Sequence, residues 1–544
     1  MKLIAKPADT VPADVPAITE EAVSMQEPEA EEVPVQADTG FSDKASLTKL
    51  SSYSDLTDAK YSGSYRSSKR SAEAGYMRAS GAPYAPQILP GTEAGVITDK
   101  DTAYIYTNDY FRKVSLAASG DTPVLQPDPV RVDGSAVFGY TVLDGDLYVI
   151  SDIRDASGAS LHETAVTVYD STLSKKEEYS VTGDYAGAVI SGGKLVIAAV
   201  YAPDKSDSLY SGKKPSFSKN GSVSEIPASD IYAIDGAKHN ALHIIYTAGG
   251  NAAAVLGGYT DSYSSPSRLR ADDDGITLVT VDEGVTYAVN IAEDMTVKSA
   301  DCYMGEAFGT DCLGFGAMIG QLPDNGGITA YKNGTYISTL PEGESGTDEN
   351  ARSIAWSDNG VAFVVAEQGK TARLLYGFDM SGDVPAPADV TSDYIYSDRL
   401  SAAGDLLVGL KAEPTPDGER AGLRLSLYRY DGGLKETAYS IIELDKDTSR
   451  DNLKYLSSPA ESNSSFIAVD ETGTMFAVPT VYFDGFSEVE RIVVLRFDGS
   501  VFTQIGEHIM YDEKSSVLCP VFYGGNLYII TDSKLVTLAL PAES

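Results

Sequence analysis

Four histidines, His162, His239, His243 and His508, are the only imidazoles in 544 residues, so any acid–base or metal chemistry that uses histidine must use one of them. His239 and His243 stand four apart, the spacing that pairs two metal ligands on a helix. The run KHNALHIIY leads into a strand, however, where residues four apart share a face about 13 Å from one another. With no HExxH pattern in the chain, these side chains read as solvated or core histidines. A serine nucleophile would call for a G-x-S-x-G elbow, and none is present; a triad assembled from distant parts of the chain leaves no local mark. Asp272, Asp273 and Asp274 precede Gly275, but the alternating D-x-D-x-D-G spacing and the distal glutamate of a calcium loop are missing. That stretch reads as a solvated hairpin turn, as do Asp99 with Asp101 and Asp144 with Asp146. Structural calcium is the one cofactor question the sequence raises. No G-x-G-x-x-G or G-x-x-x-x-G-K-[ST] provides a phosphate cradle, and the single Trp356 argues against the quinone-dependent propeller dehydrogenases, which repeat tryptophan from blade to blade. No catalytic, cofactor-binding or metal-binding residue is assigned from the sequence.

Charge narrows the partners. Seventy-nine acidic against 42 basic residues give a formal net charge of −37. Such a surface repels phosphate backbones and anionic headgroups, so nucleic acid and direct membrane-surface binding are excluded as expectations. A protein or glycan partner and a monomeric chain are expected instead. Cys302, Cys312 and Cys519 are an odd number without a CxxC pair, which argues against a zinc ribbon or a disulfide framework. No apolar run reaches the roughly 18 to 20 residues needed to cross a bilayer as a helix. The opening MKLIAKPADT has the lysines of a leader but no apolar stretch to follow them, so a leader or anchor is expected to have been removed if the protein works outside the cytoplasm.

The elements that would position such chemistry are strands. Thirty-four tyrosines and 50 glycines accompany many short alternating runs, the composition of an all-β chain. Residues 1–40 are Pro-, Ala-, Val- and Glu-rich and read as a disordered acidic spacer. In 41–91, Leu47, Leu50 and Leu56 predict a short helix, followed by a polar linker with a basic cluster at Arg66, Lys69 and Arg70. From 92 to 541 the chain repeats a polar turn followed by an apolar strand, as in LDGDLYVIS (143–151), ISGGKLVIAA (190–199), DDDGITLVTV (272–281), SDNGVAFVVA (357–366) and YGGNLYIIT (523–531). Asp-Gly, Asn-Gly and Gly-Gly supply the positive φ that two-residue hairpin turns need. A second strand ending in aspartate often follows: TAVTVYD (164–170), SDIYAID (229–235), LLYGFD (374–379), LRLSLYRYD (423–431), RIVVLRFD (491–498). Nine such turns with one four-stranded sheet each predict a β-propeller. Eight blades are favoured, with seven as the alternative, because the unit around Cys302–Leu340 is weak and reads as merged with a neighbour. The last unit, 517–541, shows three strand signals, so its fourth strand is expected from 83–96, closing the ring. The long insertion 201–228 carries Lys213, Lys214 and Lys219 in a Ser- and Gly-rich loop.

GLRLSLYRYDGG, SSFIAVDETGTMFAVPTVYF, RIVVLRFDG and VFYGGNLYIITDSKLVTLAL resemble, in order and spacing, the C-terminal part of a bacterial family of secreted β-propeller proteins distantly related to WD40 repeats. ARSIAWSDNGVAFVV, RLSAAGDLLVGL and TDKDTAYIYTND are similar to its earlier blades, and SSYSDLT (51–57) to the segment before its propeller. The likeness covers most of 41–541. It departs at the first blade, where TEAGVITDKD stands in place of an acidic Val-Asp-Glu-Ala-Asp run. The resemblance implies an extracellular propeller, or one anchored on the outer face of the cytoplasmic membrane, and brings no catalytic motif. Two expectations remain: a non-catalytic binding or scaffolding propeller presenting acidic loops at the bacterial cell surface, or a hydrolase or glycan-acting enzyme with its residues converging on the central funnel.

Overall fold

The polar turns make hairpins of the predicted kind. Asp144-Gly145, Gly192-Gly193, Asn220-Gly221, Asn333-Gly334 and Gly524-Gly525 each place two consecutive residues at positive φ, the two-residue turn whose twist matches that of the flanking strands. Asp272 pairs with Gly275 across the triple-aspartate stretch; Asp273 and Asp274 themselves, and with them the calcium question, lie outside the described residues. The computed structural model describes residues 35–37, 43–53, 55–56, 89–90 and most of 95–540. The bulk of the expected spacer and linker, including Arg66, Lys69 and Arg70, falls outside it, as do Lys213 of the long insertion and His239 farther along.

Asp170, Asp379 and Asp498, which end the second strand of their pairs, are turn acceptors, while Asp431 lies outside the described residues. The Asp170 carboxylate accepts from Thr172 N and Ser174 N at 2.8 and 3.0 Å. Asp379 accepts from Ser381 N at 2.9 Å, and Asp498 from Ser500 N and Val501 N, both at 2.9 Å. A short acidic side chain that caps its own turn explains why the residue recurs there. In 229–235 the pattern has another origin: Ile231–Ile234 pairs in parallel with Ala252–Leu256, and Asp235 meets the N-terminal segment rather than a turn.

The strands assemble into nine sheets among the described residues, which we number as blades in chain order: blade 1 (95–125), blade 2 (137–182), blade 3 (184–256), blade 4 (269–304), blade 5 (313–338), blade 6 (349–391), blade 7 (401–442), blade 8 (468–510) and blade 9 (517–539); the hairpin of Ser216–Lys219 and Ser222–Glu225, within the span of blade 3, adds to the edge of blade 2. The blade count is therefore nine, not eight or seven. The weak unit is a blade of its own, with strands of only two to five residues (Leu313–Gly314, Ala317–Gln321, Ile328–Lys332, Thr335–Ser338), which is why its periodicity was faint.

Central strands are buried on both faces, and alternate residues serve opposite neighbours. In blade 3, Leu195 and Ile197 pack toward blade 2, while Val196 and Ala198 pack toward blade 4. In blade 9, Leu527 and Ile529 meet blade 8, and Tyr528 and Ile530 meet Ala103 and Ile105 of blade 1. Blades 1 and 2 share Tyr104, Tyr106, Phe111, Tyr140 and Leu147. Blades 4, 5 and 6 share one cluster, and blades 6–7 and 7–8 have one each. Every blade thus packs on two neighbours, and the circle is complete. The half-buried strands implied by simple alternation are instead sandwiched, as continuous apolar runs such as LVIAAV require.

Closure differs from the expectation. Gly95–Asp99 pairs with Thr102–Thr107 in its own blade, and Leu89–Pro90 pairs with Tyr140 and Gly139 on the first strand of blade 2. Neither completes blade 9, which is three-stranded among the described residues. Pairing Gly95–Asp99 with the adjacent strand closes a loop of a few residues and pairing Leu89–Pro90 with blade 2 one of about fifty, whereas pairing with blade 9 would close one of several hundred. The N-terminal residues also depart from helix. Lys44–Ala45 pairs with Asp301 and Ala300 of blade 4, and Leu47–Lys49 with Tyr232–Ile234 of blade 3. Val35–Ala37 pairs with Thr335–Ile337 of blade 5. Among the described residues there, Asp55 and Leu56 are helical, the latter buried between blades 2 and 3.

Candidate functional site

The most informative polar arrangement is at the junction of blades 2 and 3. The third strand of blade 2, Ser160–Tyr169, starts at the end of the ring where the chain crosses from blade to blade, and the first strand of blade 3, Asp184–Ser191, starts there as well. Gly183 links them, its N–H donating to the His162 carbonyl at 2.7 Å and its carbonyl accepting from Thr164 Oγ1 at 3.0 Å. His162 Nδ1 then lies 3.0 and 3.2 Å from the two carboxylate oxygens of Asp184, with both side chains 25% exposed. Nearby on the strand that pairs with this one, Arg154 Nε donates to the largely buried Asp152 carboxylate at 2.8 Å.

The same junction recurs and shows which part of this is scaffold. In blade 3, Gly257 N–H donates to the Ala241 carbonyl and the Gly257 carbonyl lies 3.2 Å from His243 Nε2. In blade 4, Gly305 N–H donates to the Gly284 carbonyl and its own carbonyl accepts from Thr286 Oγ1 at 2.7 Å. Thr164, His243 and Thr286 are therefore equivalent, each two residues beyond the carbonyl that takes the glycine N–H. His243, fully buried, does the work of a threonine hydroxyl and is a core histidine as the sequence implied.

His162 is different. Its counterparts are Ala241 and Gly284, so the junction needs no imidazole there. His162 also has φ +54 where Gly284 has φ +82, a left-handed backbone that costs a side-chain-bearing residue free energy. The carboxylate following the glycine is likewise put to another use in blade 4, where Glu306 accepts from the Gly284 N–H at 3.0 Å. In blades 2 and 3 the equivalent Asp184 instead takes the His162 ring. The pair is thus an addition to a repeated scaffold.

Its chemical capacity follows from its neighbours. A carboxylate on Nδ1 fixes the ring's orientation and stabilises a positive charge on it. The two hydroxyls closest in sequence are otherwise engaged: Ser160 Oγ accepts from His162 N at 3.1 Å, and Thr164 Oγ1 serves Gly183. Phe138 and Tyr185, on the first strands of blades 2 and 3, the latter next in sequence to Asp184, stack with centroids 5.2 Å apart and planes 8° from parallel, both partly exposed. Burial holds the Tyr185 hydroxyl protonated far above the ordinary phenol range.

Other polar groups are committed to packing. Arg491, almost fully buried in blade 8, donates to Thr480 Oγ1, to Glu507 and to the Glu443 carbonyl. His508 is half-buried, and desolvation lowers its pKa below the usual 6.5. Cys302 and Cys312 are free and buried, and burial pushes the Cys302 thiol up to about 11. Among the described residues no group of three or more metal-ligating side chains comes together. His162 and Asp184 stand 22 residues apart and match no motif, so the sequence did not pair them. The sign available was the recurrence of glycine followed by an acid at the blade junctions, Gly183-Asp184 and Gly305-Glu306.

No family model matches the chain. No curated protein matches it. Among solved structures it is similar to a putative 6-phosphogluconolactonase from Bacteroides fragilis, with 11% identity, 56% of this chain and 92% of that one covered and a TM-score of 0.27. It is similar to an oligogalacturonate lyase in complex with manganese, with 10% identity, coverage of 84% and 99% and a TM-score of 0.31. The β-propeller domain of Vanderwaltozyma polyspora Nup133 gives 8% identity, coverage of 92% and 99% and a TM-score of 0.25. Likenesses this slight carry no function across, and the chain stands as a nine-bladed β-propeller on its own geometry.

Proposed function

We propose that the protein is a non-catalytic binding propeller that works outside the cytoplasm at a bacterial cell surface, engaging a protein or glycan at the junction of blades 2 and 3. The observation that carries this reading is the His162–Asp184 pair, whose imidazole has no counterpart at the equivalent positions Ala241 and Gly284. An oriented, partly exposed imidazole–carboxylate pair supplies a directional donor and acceptor, and the adjacent Phe138–Tyr185 stack supplies an apolar face. That combination of a few fixed polar groups beside aromatic surface suits recognition. The engagement of Ser160 and Thr164 in the junction itself favours binding over nucleophilic catalysis. The net charge of −37 suits a soluble, exposed protein and disfavours polyanionic partners.

The test is a glycan and peptide array probed with the wild type and with His162→Ala and Asp184→Asn. Retention of the fold with loss of at least one array signal in both variants supports the reading. A chromogenic ester and glycoside panel addresses the hydrolase alternative: turnover by the wild type that His162→Ala abolishes would replace binding by catalysis.

A further inference from the structure

The outer edges of blades 3 and 4 are occupied by this chain's own N-terminal segment, and the way it sits there is that of a ligand. Lys44–Ala45 lies antiparallel to Asp301 and Ala300, and Leu47–Lys49 antiparallel to Tyr232–Ile234. Three further backbone bonds hold it: Cys302 N donates to the Asp43 carbonyl, Asp235 N to the Ser46 carbonyl and Leu50 N to the Ile231 carbonyl, each at 3.0 Å. Ala45 and Leu47 point inward onto the cluster between the two blades. Lys44 pairs with Asp301, Thr48 Oγ1 donates to Asp235 at 3.1 Å, and the Lys49 ammonium sits 5.0 Å over the Tyr232 ring. The edge thus provides a backbone ladder, an apolar slot, two acidic anchors and an aromatic face, the parts of a strand-addition site.

The resident segment is a light occupant. It forms strands of two and three residues, and Lys44, Ser46, Thr48 and Lys49 remain exposed. It covers three positions, Ala300 to Cys302, of the eight-residue edge strand Val297–Met304 before crossing to blade 3. Among the described residues no strand pairs with Val297–Ser299 on that side. We propose that this shared edge is a binding site for an extended, lysine-bearing segment of a partner protein, and that residues 43–50 fill it in the partner's absence. A partner strand that stays on the blade 4 edge past Ala300 gains ladder bonds that the resident does not make. It needs that advantage, because a tethered segment competes at an effective concentration of about millimolar. The partner's lysines match Asp301 and the Tyr232 ring face, and the acidity of the chain as a whole draws a cationic segment in.

The test uses the full-length protein and its Lys44→Glu/Lys49→Glu variant, whose substitutions fall on exposed side chains and leave the core untouched. The probe is a labelled synthetic peptide with the sequence of residues 41–52, FSDKASLTKLSS, alongside the same peptide with both lysines changed to glutamate. Hydrogen exchange is read at Asp235 and Cys302. In the variant these amides exchange at least about tenfold faster than in the wild type, as expected for local release of a weakly held strand. The lysine peptide then binds the variant at least about tenfold tighter than it binds the wild type and restores protection, and 0.5 M salt weakens that binding. Unchanged exchange in the variant would overturn the proposal, as would release without peptide binding, or equal binding of the lysine and glutamate peptides. Concentration-dependent dimerisation of the wild type with exchanged N-terminal segments would also overturn it, by making the occupant a second copy.

Discussion

Replacing Gly183 by alanine tests both the blade junction and the polar pair it sets up. At φ +120 this residue lies where essentially only glycine is found, and a side chain there costs about 1–3 kcal/mol. A Cβ would also stand 2.9 Å from both the carbonyl carbon and the oxygen of Val200 and 3.2 Å from Ala199 Cβ. Those are backbone and near-backbone atoms of a buried central strand, so relief requires moving that strand, at roughly 1–3 kcal/mol more. The expected loss is therefore roughly 2–6 kcal/mol. Gly145→Ala is the control, since Gly145 has φ +84 and an added Cβ would meet nothing within 4 Å, leaving about 1–2 kcal/mol of backbone strain alone. Urea unfolding followed by far-UV circular dichroism measures both. The single Trp356, packed against Gly314 and Phe315 between blades 5 and 6, reports a seam remote from Gly183. If Gly183→Ala destabilises no more than Gly145→Ala, the close approach at the junction is not what holds His162 against Asp184.

Four further outcomes are expected. Acidification should lower the melting temperature in two stages. His508 has its folded pKa depressed by burial, so the unfolded chain binds a proton first and stability falls as pH drops below about 6.5, a stage that His508→Phe should remove. Asp170, Asp294 and Asp498 are held below the usual carboxylate range by hydrogen bonds within their turns. Their contribution is present above that range and is lost as pH falls through the depressed values, so Asp498→Asn should shrink the second stage. Ile529→Ala, fully buried between blades 8 and 9, should cost about 2–5 kcal/mol in urea unfolding. Mass-mapped iodoacetamide labelling at pH 8 should leave Cys302 unmodified in the native protein and modify it promptly in urea, because its thiol is buried and its pKa is raised to about 11.

The turn chemistry was legible because it is local. Asp144-Gly145 or Asn333-Gly334 states its own backbone geometry, and Asp170 or Asp498 caps residues two and three positions away. The blade count was less legible because blade 5 is built from very short strands, which leave too few residues to establish a period. Leu47, Leu50 and Leu56 carry helical spacing, yet the segment pairs as strands because the exposed edges of blades 3 and 4 offer backbone partners that a lone short helix lacks. The His162–Asp184 pair depends on two blades meeting, and nothing within either segment encodes the meeting. Gly183 is the link that could have been read, since its repetition at 257 and 305 marks the crossover where such residues converge.

The ring's closure bears on how such a molecule can change. Among the described residues blade 9 meets blade 1 through side chains alone, Tyr528 and Ile530 against Ala103 and Ile105, with no strand borrowed from the other end of the chain. Blades 1 and 6 to 9 are then built from their own repeats among the described residues, whereas blades 2 to 5 also take strands from the N-terminal segment or, for blade 2, from the hairpin 216–225. Duplication or loss of one whole repeat needs no re-registration of first and last strands, only a small common adjustment of the angle between all neighbours. A gene encoding such a chain can lengthen or shorten in single-blade steps while every intermediate remains a closed circle.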